Sequence, residues 1–217
     1  MEEGLREVKA VGFDLDGTLY STTLEIDERI RTRIAEKILK KVSSLGSIKR
    51  ARDYFEGEYR KTGSGSKVLE RVGYHNSREV MDECLATADV SDLIERDDEL
   101  RGILENIHAK YKTYLITGSP RDLALQKLNR IGIDQRLFDT AMYSEMSDLS
   151  KSDGSAFEYL VKMISIPVHQ HVYIGDREKS DILPAKKLGM KTVAVWSSIE
   201  EADFSIDHIH DIRRLLL

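Results

Sequence analysis

Cysteine is almost absent: Cys84 is the only one in 217 residues, so no internal disulfide can form. That excludes a disulfide-stapled secreted scaffold and suits a reducing compartment, so a cytoplasmic protein is expected. Long apolar runs are also missing; none approaches the roughly 20 residues that a membrane helix needs. The first residues, Met-Glu-Glu-Gly, lack a basic stretch followed by an apolar one, so no signal peptide is expected. Net charge is only −5, which gives no reason to expect a nucleic-acid partner. Internal repeats and low-complexity segments are not found. What remains is ordinary globular composition, 33% charged and 41% hydrophobic, in a chain long enough for one sizeable core and an inserted subdomain. Composition leaves the oligomeric state open.

The run Val8–Phe13 is almost wholly apolar and stops at Asp14-Leu-Asp16-Gly-Thr18. Such a run, cut off by Asp and Gly, reads as a buried parallel strand. Further strand-like runs fall at Thr113–Ile116, Thr140–Tyr143, His171–Ile174 and Lys191–Val195. Helical patterns lie between the later ones. Arg121–Ile131 carries Leu123, Leu125, Leu128 and Ile131 on one stripe, and Ser155–Ile164 carries Phe157, Leu160, Val161 and Ile164. A short helix over Asp181–Leu188 ends at Gly189, and Phe204–Leu217 reads as a last strand and helix. Strand–helix alternation predicts an α/β fold with a parallel sheet.

From Leu24 to Asp98 the rhythm changes, and no convincing strand is present. Ile26, Ile30, Ile34, Ile38 and Val42 recur at near-helical spacing, and Gly46, Gly57, Gly63 and Gly73 punctuate the stretch. An all-helical insert after the first strand is predicted. Charge is uneven here: residues 25–75 hold an excess of Lys and Arg, residues 76–100 of Asp and Glu. Solvated helix faces explain this, and attraction of an anionic substrate is the alternative.

Four short segments end a predicted strand or closely follow one: Asp14-Leu-Asp16-Gly-Thr18, Thr117-Gly118-Ser119, Lys151, and Gly175-Asp176 with Asp181. In open α/β sheets that end binds ligands. Two close carboxylates are costly unless a cation or proton neutralises one, which predicts a metal site or a nucleophile beside a general acid. Carboxylates, a hydroxyl with backbone donors and one cation are together the equipment of metal-assisted phosphoryl transfer. The pairs His169/His171 and His208/His210 lack a third ligand nearby and read as structural or surface residues. Tyr20 either lines the cleft or packs, and Trp196 reads as packing at the sheet edge.

With these motifs in order over about residues 7–20 and 111–217, the chain resembles the haloacid dehalogenase superfamily of phosphohydrolases. The resemblance implies a Rossmann-like three-layer core, residues 1–20 and 99–217, and a helical cap, residues 21–98. It implies Asp14 as nucleophile, Asp16 as general acid and base, and Lys151 as the cation offsetting charge on Asp14. Thr18, Thr117 and the amides of Gly118 and Ser119 are the implied substrate-binding groups. Mg²⁺ is the implied cofactor, held by Asp14, the Asp16 carbonyl and Asp176, with Asp181 direct or one shell removed. Lys151 is followed by Ser152, where relatives often have proline.

The expected activity is hydrolysis of a small phosphate monoester, of phosphoglycolate or nucleotide type, through an aspartyl-phosphate, with the cap choosing the substrate. Asp16 argues against a dehalogenase, since halide needs no proton. A phosphomutase, or a phosphonatase using a cap lysine, stays open. So does a non-catalytic phosphate- or partner-binding module, although a binder has no need of the general acid. A phospho-acceptor signalling domain fits the motif order poorly.

Overall fold

The computed structural model describes residues 3–146 and 149–217. The chain divides into two compact units, one of residues 1–21 and 95–217, the other of Thr22–Ile94.

The first unit is built on a six-stranded, wholly parallel sheet. Its strands are β1 (Ala10–Phe13), β2 (Lys112–Ile116), β3 (Thr140–Met142), β4 (His171–Gly175), β5 (Lys191–Val195) and β6 (Phe204–Ile206), in the order β3-β2-β1-β4-β5-β6. The expected α/β core is therefore present. β1 begins two residues later than its apolar run suggests. Val8 instead donates its amide to Leu5 O, closing the short turn before the strand.

Alternation along β1 sends Ala10 and Gly12 to one face and Val11 and Phe13 to the other. On the first face Ala10, Tyr114, Ile116 and Tyr173 pack with Phe157, Leu160 and Ala185. On the other, Phe13 meets the edge of Phe138 at 6.2 Å. His171 is fully buried in this core; its Nε2 lies 3.0 Å from Ile166 O and its Nδ1 3.3 Å from the Tyr114 hydroxyl. The His169/His171 pair is thus structural at its inner member.

The second unit contains no strand among the described residues. It consists of α1 (Leu24–Lys41), α2 (Ile48–Thr62), α3 (Gly65–Arg71) and α4 (Ser77–Ala88) around Ile34, Ile38, Phe55, Val68, Leu69 and Cys84. Each of the first three starts at a hydroxyl cap: Thr23, Ser47 and Ser64 accept the amides of Ile26, Arg50 and Lys67. Its basic residues are largely ion-paired on the surface, as in Lys37–Glu83 (2.6 Å), Lys49–Asp53 (3.1 Å) and Lys61–Glu58 (2.5 Å). Among the described residues no helix is long and apolar enough to cross a membrane.

The first unit continues through α5 (Asp98–His108), α6 (Arg121–Ile131), α7 (Ser155–Ile164), α8 (Leu183–Leu188) and α9 (Ile212–Leu216). The helix expected from Asp181 begins instead as a single π turn, Glu178–Ile182, that runs into α8.

Candidate active site

Register decides where the site residues meet. Phe13 pairs with Leu115 on one side and Ile174 on the other. Asp14 is therefore level with Ile116 and Gly175, one residue before Thr117 and Asp176, and Asp14, Thr117 and Asp176 all leave the sheet at the carboxyl end of adjacent strands. Past β1 the chain turns at once: Gly17 holds φ 82°, a left-handed conformation that a side chain would strain.

Two carboxylate groups form there. In the first, Asp14 is buried, and its Oδ1 accepts from Lys151 Nζ at 2.5 Å. The same ammonium reaches Asp181 Oδ1 at 2.6 Å. One carboxylate oxygen from each of Asp14, Asp176 and Asp181 lies within 4.8 Å of the others. Asp181 comes back under β4 because Gly175 has no side chain; a Cβ there would stand 2.4 Å from the Asp181 Cβ. The second oxygen of Asp181 accepts the Arg177 amide at 3.1 Å, within the π turn. Thr18 is fully buried; its hydroxyl lies 3.3 Å from Asp14 Oδ2 and 3.5 Å from Asp176 Oδ1 and so braces those two acids.

Three carboxylates share this space with one ammonium. Burial pushes the Asp14 carboxyl up to about 6, against the pull of Lys151 and with the push of Asp181. Burial likewise pushes Asp176 up to about 8; Arg177 opposes this, while Asp14 and Asp181 add to it. Lys151 is held above its ordinary range: burial alone would lower it, but the Asp14 and Asp181 carboxylates outweigh that. A cluster of buried acids short of positive charge, offering only oxygen, has the donor set of a hard divalent cation.

The second group surrounds Asp16, whose side chain keeps 23% of its surface exposed. Oδ1 accepts from the Tyr20 hydroxyl at 2.5 Å and from Lys127 Nζ. Oδ2 accepts from the Ser119 hydroxyl at 2.7 Å and from Thr117 Oγ1 at 3.3 Å. Burial alone would raise this carboxyl, but the Lys127 charge and the hydrogen bonds from Lys127, Tyr20 and Ser119 hold it well below the usual carboxylate range. The two acids of Asp14-Leu-Asp16 thus occupy different surroundings, and the Asp16 side chain stands outside the acidic trio.

The turn after β2 differs from expectation in one respect. The Ser119 amide donates to Thr117 Oγ1 at 3.0 Å, so it is already engaged within the turn. Gly118 faces open space: a Cβ there would meet nothing within 4 Å. Lys151 leads a turn that hydroxyls brace. Ser150 donates its amide to Ser155 Oγ at 2.9 Å, and its hydroxyl lies 3.0 Å from that of Ser152.

Lys127 was not among the candidates. It sits mid-α6, 1% exposed, between Ala124 and Leu128 on the face that Leu123 and Ile131 also bury, while Leu125 is only half-buried. The signal was a lysine on an apolar stripe, readable once the stripe is drawn through Leu123, Ala124, Leu128 and Ile131. Tyr20 lines the site. Trp196 lies beyond β5 at φ 67° with its ring edge-on to His208, 4.6 Å between centroids. His210 Nε2 lies 2.7 Å from Asp97 Oδ2.

Residues 8–189 match the haloacid dehalogenase-like hydrolases. The chain belongs to that family. It is 27% identical to a glyceraldehyde 3-phosphate phosphatase of Methanocaldococcus jannaschii, over 96% of each chain. It is 26% identical to a phosphoglycolate phosphatase of Pseudomonas fluorescens, over 86% of this chain and 69% of the other. Among solved structures, a HAD phosphatase from Thermococcus onnurineus superposes with a TM-score of 0.64 at 21% identity, covering 96% of this chain and 98% of that one, a likeness of fold.

Proposed function

We propose that this hydrolase is a magnesium-dependent phosphatase cleaving small phosphate monoesters through an aspartyl-phosphate on Asp14. One observation carries the reading: a buried carboxylate, paired to a lysine and flanked by two further acids, stands two residues from a second carboxylate in a separate hydrogen-bonded setting. A simple anion-binding site would not bury three acids together.

In this reading an Asp14 oxygen attacks phosphorus as the ester P–O bond breaks, and Asp16, which must first take up a proton against the pull of Lys127, gives it to the departing oxygen. Water then attacks the phosphoaspartate and yields a proton to Asp16; the Asp14–phosphorus bond breaks and inorganic phosphate leaves. Lys151 offsets charge on Asp14 throughout. Thr117 and the Gly118 amide border the space assigned to the phosphoryl oxygens, and Thr18 fixes Asp14. Asp14, Asp176 and the Asp16 carbonyl, with Asp181 beside them, would hold Mg²⁺, which when bound supplies positive charge against the phosphoryl group. The helical unit, residues 21–98 by sequence, is assigned the part of a cap that selects the substrate, and the cytoplasm is its assigned place of action.

The names of the two relatives put glyceraldehyde 3-phosphate and phosphoglycolate first on a substrate panel. Pure protein should release phosphate from at least one ester with Mg²⁺, stop with EDTA, and lose turnover in Asp14→Asn. Mass spectrometry of protein quenched during turnover should find phosphate on Asp14. Hydrolysis that survives Asp14→Asn would end the proposal.

A further inference from the structure

Lys127 is a lysine whose burial the reaction scheme above leaves unused. Its side chain is 1% exposed within the apolar face of α6. Burying a lysine is expensive unless its charge is met, and uncompensated burial is rare. Here Nζ meets Asp16 Oδ1 and, at 2.9 Å, the Ser119 hydroxyl. Ser119 in turn donates to the other Asp16 oxygen at 2.7 Å. Lysine, serine and carboxylate thus close a ring, which fixes both the position and the plane of the carboxylate. The Tyr20 hydroxyl completes the grip on Oδ1 from the turn after β1.

A buried ion pair placed for stability alone has no need to involve the acid that must meet the leaving oxygen. Replacing such pairs by apolar side chains is often neutral for stability, so the pair is weakly explained as a stabilising device. A general acid must lie within hydrogen-bond reach of the atom it protonates. Asp16 stands on a turn, at the edge of the site, with part of its surface open. Without an anchor its carboxylate would sample several rotamers.

We infer that Lys127 is a positioning residue of the catalytic cycle, holding the Asp16 carboxylate from behind, through the ring with Ser119, in the orientation that serves the leaving oxygen. The inference rests on the phosphatase reading. It predicts a dependence on the leaving group. The alkoxide of an alkyl phosphate is a poor leaving group and needs a proton from Asp16; 4-nitrophenyl phosphate releases a stable phenolate and does not.

The experiment compares kcat/KM, which reports events up to formation of the phosphoaspartate, for glyceraldehyde 3-phosphate and 4-nitrophenyl phosphate in wild type, Lys127→Met and Lys127→Gln. Circular dichroism and urea unfolding establish that each variant is folded, and Gln keeps a donor should Met fail to fold. For the alkyl ester a loss of about 10- to 100-fold is expected in Lys127→Met, part of what a general acid contributes, against less than about 3-fold for the aryl ester. In an Asp16→Asn background the same change should cost the alkyl ester little more, since the group being positioned is gone. Equal losses on both esters in folded variants, or full additivity with Asp16→Asn, would overturn the inference and leave the phosphatase reading standing. Wild type that hydrolyses neither ester nor any other on the panel would instead remove the reading itself.

Discussion

Gly175→Ala is the most economical probe of how the acidic trio is assembled. The new Cβ would lie 2.4 Å from the Asp181 Cβ and 2.7 Å from its Cγ, well inside contact distance, with Asp181 fully buried. Asp181 cannot retreat freely: its oxygens are held by Lys151 and by the Arg177 amide. Overpacking of this kind costs about 1–3 kcal/mol, equivalent to a melting shift of roughly 2–12 °C for a protein of this size. The displaced carboxylate should also weaken the response to Mg²⁺, read as the rise in melting temperature on adding the ion. Thermal unfolding by circular dichroism, with and without Mg²⁺, measures both. Gly118→Ala is the control: with nothing within 4 Å of its Cβ, it should stay within about 0.5 kcal/mol of wild type while raising KM. If Gly175→Ala melts with wild type and keeps the full Mg²⁺ response, Asp181 does not pack against Gly175 beside the ion.

Two further outcomes are expected. Burial holds the His171 imidazole below its ordinary 6.5, so on acidification the unfolded chain takes up a proton before the folded one does; stability should fall as pH drops below about 6.5, and urea titrations of His171→Gln should show a flatter profile across that window. Burial pushes the Cys84 thiol up to about 11, so a thiol reagent should label native protein only at the rate of unfolding; rapid stoichiometric labelling under native conditions would contradict its place in the helical core.

The sheet was legible because parallel strands buried on both faces are nearly continuous apolar runs, and five such runs lie within two residues of β1 to β5. α6 and α7 were legible to the residue because their stripes end at Gly132 and at Ser165, both in left-handed conformation. The candidate residues were legible as types at strand ends, since a carboxylate after a buried strand has few other reasons to be there. Partners were not. Which hydroxyl meets which acid depends on the depth of each turn, and periodicity is silent on that; hence the Ser119 amide turns inward to Thr117, and Thr18 to Asp14 and Asp176. Lys127 escaped because a helical stripe is drawn through apolar residues, and a lysine is assigned to water by default. The π turn escaped for a similar reason: one extra residue in a helical turn leaves the apolar pattern almost unchanged.

The strand order carries a consequence for how the protein is made. β1 is translated before every other strand, yet it lies inside the sheet and its two neighbours are among the later ones, so Ala10 must wait for both Lys112 and His171. Asp14 has no lysine beside it until residue 151 exists, and the third acid arrives thirty residues after that. The helical unit, by contrast, holds its whole apolar core between residues 22 and 94 and can close while the rest is still being synthesised. Until Lys112 and His171 are made, the apolar strand Ala-Val-Gly-Phe has neither of its sheet partners, and the two acids at its end are its nearest protection against pairing with the wrong edge.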